Sequence, residues 1–198
     1  MRRVESLPNA EAEAATMSLK FVSTLMDRLN GLGEWIAPLG LRVLLAWEFY
    51  ESGLEKLHGE NWFAELAGKF PPPFSLLGPD VNWALATWLE LLGSLALLFG
   101  LGTRFFAVAL SVLTVVAIAA VHWPAEWSTL AELWQGYSIT DHGFGNYKLP
   151  LIYLVMLLPL ILQGAGRASL DHLLWRHLRS SAPGRSLNPR GTPRLLPE

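Results

Sequence analysis

The sequence predicts an all-α protein: an integral membrane four-helix bundle flanked by amphipathic interfacial helices. Three observations carry this. Hydrophobic residues make up 52% of the 198 and charged residues only 16%, a balance that soluble domains of this size seldom reach. Residues 105–121 and 149–166 contain no Asp, Glu, Lys or Arg, and 81–103 contains only Glu90; about 20 such residues cross the hydrocarbon core as a helix. Residues 41–57 are apolar enough to enter a bilayer, yet they hold Arg42, Glu48, Glu51, Glu55 and Lys56. Each such group costs roughly 2.5–3.5 kcal/mol at mid-membrane on insertion scales. They must face one another, a cavity or neighbouring helices.

In chain order, residues 1–16 read as a disordered cytoplasmic tail. Arg2-Arg3 is followed by an acidic, Ala-rich stretch, not by an apolar run, so the first span is expected to serve as its own insertion signal. Residues 17–34 read as an amphipathic helix, with Leu19, Val22, Met26 and Leu29 at helical spacing; it lies on the membrane surface or docks on the bundle. Residues 35–178 form the bundle, with spans at about 37–57, 81–101, 104–122 and 147–165. Leu101-Gly102-Thr103-Arg104 is too short for anything but an antiparallel hairpin of spans two and three. Gly93, Ser94, Ala96 and Gly100 allow close helix approach. Pro159 falls inside span four, where it removes a helix hydrogen bond and is expected to kink the helix. Residues 179–198, rich in Pro, Gly, Ser and Arg, read as a disordered basic cytoplasmic tail that contacts anionic lipid.

Lys and Arg set the orientation. Apart from Arg42, eleven lie on the side of the two termini and the 101–104 turn. Only Lys56, Lys69 and Lys148 lie on the other. Both termini are therefore expected in the cytoplasm, as an even number of spans requires. The two long connections, about 58–80 and 123–146, then face outward. In the second, Trp123, Trp127, Leu130, Trp134 and Tyr137 recur at helical spacing. In the first, Trp62, Phe63, Leu66 and Phe70 do the same. Trp and Tyr favour the membrane interface. Trp62, Trp123, Trp127, Trp134 and Tyr137 are expected to anchor two surface or re-entrant helices, or to form an aromatic lid over the outer mouth.

The net charge of −2 gives no sign of a nucleic-acid partner. The absence of cysteine excludes disulfides, CxxC redox chemistry and thiolate ligands. The ionisable groups inside the spans, Arg42, Glu48, Glu51, Lys56 and Glu90, form a candidate intramembrane polar network. Glu48, Glu51 and Glu55 follow i, i+3, i+7 and share a face. Glu48 and Glu90 fall near the middle of antiparallel spans and can share one depth. Arg42 lies about 9 Å along the helix from Glu48. Lys56 points away from Glu51 and is expected to pair with another span or with lipid phosphate. Two readings follow: a salt-bridge network that holds the helices in register, or a proton or ligand relay through paired carboxylates. His58, His122 and His142 gather toward the outer face, which suits zinc, copper, iron or nickel, or a bis-histidine haem at His58 and His122. No HxxxH spacing supports either. No catalytic residue can be assigned.

Taken in order, Arg42, Gly53-Leu54-Glu55-Lys56-Leu57, Glu90-Leu91-Leu92-Gly93, Gly100-Leu101-Gly102-Thr103-Arg104 and Gly164-Ala165-Gly166-Arg167-Ala168-Ser169-Leu170-Asp171 resemble the DoxX-type family of four-helix membrane proteins, over about residues 38–175. The resemblance implies a bacterial inner-membrane protein linked to quinone-coupled or oxidative-stress redox assemblies. His122-Trp123-Pro124-Ala125-Glu126-Trp127 and Gly143-Phe144-Gly145-Asn146-Tyr147-Lys148-Leu149-Pro150 look like the subgroup called HvfX, which accompanies biosynthesis of small copper-binding modified peptides. That implies an accessory subunit in a redox, copper-handling or modified-peptide-maturation system, with a membrane or periplasmic protein partner or a second copy of the chain. The alternatives are a quinone-interacting oxidoreductase subunit and a small proton-coupled transporter. Quinone and copper are the cofactors these readings bring.

Overall fold

The computed structural model describes residues 7–66, 68–124, 126–137 and 145–181. Among them every regular element is helical. Helix α1 runs from Leu7 to His58, α2 from Pro79 to Phe99 and α3 from Thr103 to Ala117. A π-helical turn, Ile118–His122, continues α3. The short α4 covers Leu130–Gln135, α5 covers Lys148–Gln163 and α6 covers Leu170–Ser181. The outer connection after α1 holds two 3-10 turns, Phe63–Leu66 and Phe74–Leu76.

Helices α1, α2, α3 and α5 pack in a ring: α1 on α2, α2 on α3, α3 on α5 and α5 back on α1. Leu45, Ala46, Phe49, Leu97, Ala107, Leu110, Leu157 and Leu160 fill its centre. Glycine sets the close approaches. A Cβ on Gly53 would stand 2.9 Å from the Leu91 side chain, and one on Gly93 would stand 3.1 Å from Leu110. The α2–α3 turn is tight because Gly100 and Gly102 both adopt left-handed backbone, where a Cβ would clash. Leu101 N–H then reaches Ala96 O and Gly100 N–H reaches Leu97 O, the pairing of a Schellman cap.

Helices Pro79–Phe99 and Thr103–His122 are each long and apolar enough to cross a membrane, while α5 is apolar but shorter, at 16 residues. The structure departs from the expected boundaries mainly at the N-terminal side. A tail to residue 16, a separate helix over 17–34 and a span from 37 were expected. Instead one 52-residue helix passes through all three, with Pro38 inside it. The break that proline invites is healed locally. Pro38 has no N–H to offer Glu34 O, and Arg167 N–H reaches that carbonyl instead, while the Arg167 guanidinium pairs with the Glu34 carboxylate at 2.7 Å. Gly166 leaves room for the Pro38 ring, which a Cβ there would meet at 2.8 Å. The apolar residues Leu19, Val22, Met26 and Leu29 are exposed and do not dock on the bundle.

The second outer connection also differs. Residues 123–124 and 126–129 are not helical, and α4 begins only at Leu130. Trp123 precedes Pro124 and is extended, as a residue before proline prefers. Thr129 and Glu132 close a capping box, which fixes the helix start downstream of Trp123 and Trp127.

Candidate functional site

Two polar assemblies occupy opposite ends of the bundle. At the end of the α2–α3 turn, Arg42 is 1% exposed. Its Nε donates to Leu97 O at 2.7 Å, its Nη2 to Leu98 O at 2.8 Å, and its Nη1 to Ala165 O and Ala168 O, each at 2.8 Å. The first two carbonyls belong to the last turn of α2, which carries the negative end of the helix dipole; Leu97 O also accepts from Gly100 N–H in the cap. Asp171, in the first turn of α6, accepts from Gly102 N–H at 2.7 Å and Thr103 N–H at 2.9 Å, at the start of α3. Its own N–H donates to Gly100 O. One arginine and one aspartate thus tie α1, the α2–α3 turn and the start of α6 together.

The other end encloses a cavity of about 530 Å³ between α1, α2, α3 and α5. Gly53 brings α1 close enough to α2 for Lys56 Nζ to pair with Glu90, at 2.9 Å to Oε2 and 3.1 Å to Oε1. Ser52 Oγ accepts from Lys56 at 2.8 Å and donates to Glu90 Oε1 at 3.3 Å. From α5, Tyr153 donates to Glu48 Oε2. Glu48, Glu51, Glu55, Lys56 and Glu90 all line the cavity. The lining is also aromatic, with Trp62, Phe63, Phe70 and Phe74. Phe63 and Phe70 are buried with Leu66 and Ala120, and Phe63 meets Trp83 and Trp62 edge to face at 5.0 Å. Asn61 holds this outer connection in place, donating to Asp80 and accepting from Phe63 N–H.

The expected polar network is therefore divided. Glu48, Glu51, Lys56 and Glu90 meet at the cavity, whereas Arg42 belongs to the fastening at the other end. Lys56 pairs with α2, and Glu48 with α5. Of the aromatic residues expected over the mouth, only Trp62 lines the cavity. Trp123 stacks on Tyr147 at 5.6 Å and Trp134 on Tyr137 at 4.9 Å, while Trp127 is 45% exposed. The histidines do not converge within the described residues. His58 Nδ1 bonds Leu54 O on its own helix, and His122 Nδ1 bonds Asn146 Oδ1. His142 lies outside the described residues. No group of three or more His, Asp or Glu suited to a metal ion occurs among those described. Asn146 bonds His122, and Tyr147 takes the N-cap position of α5 without a side-chain bond. Ser52, Asn82 and Tyr153 were missed because they carry no charge. The signal for Tyr153 was present: it is the lone polar side chain in residues 149–162.

The family model described as DoxX matches residues 37–123. The chain is also similar to a protein of Haemophilus influenzae described as uncharacterized. The two are 47% identical over 147 residues, covering 74% of this chain and 89% of that one. No solved structure matches the chain.

Proposed function

The chain belongs to the DoxX family of membrane proteins, and from that premise we propose that it is a multi-pass bacterial inner-membrane protein whose helix bundle binds a lipophilic small molecule. It acts as the ligand-binding subunit of a larger assembly, with both termini in the cytoplasm. One observation carries this reading: a cavity of about 530 Å³ with aromatic and aliphatic walls and a few convergent polar groups, the form that small-molecule sites take. Residues 37–57 of α1, helix α2, α3 with its π turn, and α5 are the four spans. The arginines of α6 and of the 101–104 turn mark the cytoplasmic side. Helix α6 exposes Leu173, Leu174, Trp175 and Leu178 beside Arg176 and Arg179, which suits a helix lying in the headgroup region.

The test is to purify the full chain in mild detergent, extract it with organic solvent and identify what is retained by mass spectrometry. Ala117→Phe fills the cavity that Ala117 lines. The wild type is expected to retain a lipophilic molecule that the variant loses. A wild type that retains none, and binds none on addition, sinks the proposal. A redox role is supported by the motif resemblance together with the polar pole beside an apolar chamber. The copper or modified-peptide role keeps the resemblance around His122 as its support, and metal analysis of the same preparation tests it.

A further inference from the structure

Asn82 lines the cavity and is 5% exposed. Its Nδ2 donates to Phe74 O at 3.0 Å. A carbonyl only accepts, so this bond fixes the amide's orientation. The Asn82 Oδ1 is left buried with no hydrogen-bond partner among the described residues, and buried acceptors in native structures are normally satisfied. This point of the cavity calls for a donor.

The rest of the lining asks for the same thing. Four carboxyl groups, Glu48, Glu51, Glu55 and Glu90, face one ammonium, Lys56. Lys56 is committed to Glu90 and Ser52. Among the described residues no Lys or Arg pairs with Glu48, Glu51 or Glu55. The Tyr153 hydroxyl is committed to Glu48. His122 also lines the cavity, and its Nδ1 is already engaged with Asn146 Oδ1. Trp62, Phe63, Phe70 and Phe74 present aromatic surface, whose ring faces attract cations. A ligand with only acceptor groups would find these donors already engaged.

On the reading that this cavity is a ligand site, we infer that its occupant is a lipophilic cation, an ammonium-bearing molecule with an aromatic or aliphatic body. The ammonium faces the Glu48–Glu51–Glu55 wall, the body lies against the aromatic wall, and a second donor reaches Asn82 Oδ1.

Three probes of one body and different heads test this: phenylbutylamine, phenylbutanol and phenylbutyrate. Equilibrium dialysis measures their binding to the full chain in discs of zwitterionic lipid, with empty discs subtracted. The amine is expected to bind about ten-fold tighter than the alcohol or better, and the carboxylate not to bind. The double variant Glu48→Gln with Glu51→Gln is expected to bring the amine down to the alcohol's affinity. Should that variant fail to fold, Glu51→Gln with Glu55→Gln, both at exposed positions on the cavity rim, reads the same preference. Equal binding of amine and alcohol, or an amine preference untouched by the folded carboxamide variant, overturns the cation and leaves the cavity reading standing. Failure of all three probes to bind overturns both.

Discussion

Helix α1 carries a cation toward each end of its bundle segment, Arg42 buried and Lys56 half-buried, and the two are treated differently. Arg42 spends its guanidinium on four backbone carbonyls and lines no part of the cavity. Lys56 pairs with a side chain, Glu90, beside carboxylates that have no cationic partner of their own. The first end is closed by main-chain partners, whereas the second gathers half-buried and exposed carboxylates around a chamber, the arrangement of a site.

The comparison is broken most severely at Arg42. Arg42→Met removes the guanidinium from four carbonyls, of which Leu97 O keeps the Gly100 N–H; each carbonyl left unpaired and buried costs about 1–3 kcal/mol, against a total stability of about 5–15 kcal/mol. Loss of folded protein is expected, read as an aggregated peak in size-exclusion chromatography in detergent. No second substitution repairs it, because the partners are main-chain groups. The Lys56–Glu90 pair should behave otherwise. Glu90→Leu alone strands the ammonium and costs about 3–5 kcal/mol. Adding Lys56→Met removes the stranded charge and is expected to restore most of the melting temperature. If the double variant melts no higher than Glu90→Leu, the pair is a fastener of the Arg42 kind. Gly53→Ala is expected to follow, at about 1–3 kcal/mol, because the new methyl meets Leu91 at 2.9 Å. Asp171→Asn, which weakens the two bonds to the start of α3, is expected to cost about 1 kcal/mol. Thermal melts of the purified variants rank all four.

Much of this was legible from charge alone. Ionisable residues inside apolar runs marked Arg42, Glu48, Lys56 and Glu90, and helical rotation showed that Lys56 looks away from Glu51, toward another span or lipid phosphate. The all-helical class followed from the uncharged runs, and the ordered Gly and Glu motifs led to the DoxX family. Arg42's partners were not legible, because backbone carbonyls carry no residue-type signal. Nor was the continuity of α1 through Pro38, which depends on a donor from Arg167 on a remote loop. The Trp spacing after His122 imitated a helix that the Thr129–Glu132 capping box excludes. Asn82 escaped notice because a neutral amide becomes informative only once its burial and its missing partner are seen.

The smallest expected effect discriminates most finely. Tyr153 donates to Glu48 from within an apolar helix, so it resembles a fastening contact like those of Arg42. It also lines the cavity, so it equally resembles part of the site. Tyr153→Phe keeps the ring against Phe49, 5.7 Å away, and removes only the hydroxyl. A fastener would lose stability as Arg42→Met does. A site residue would lose about 1 kcal/mol or less, the net worth of one hydrogen bond, since Glu48 already faces a chamber that can admit another donor. The melting temperature is expected to fall less than for Asp171→Asn. Phenylbutylamine affinity is expected not to fall, because the substitution releases the Glu48 oxygen that the ammonium would use. A drop in amine binding without a drop in melting temperature would instead make the hydroxyl itself a ligand contact.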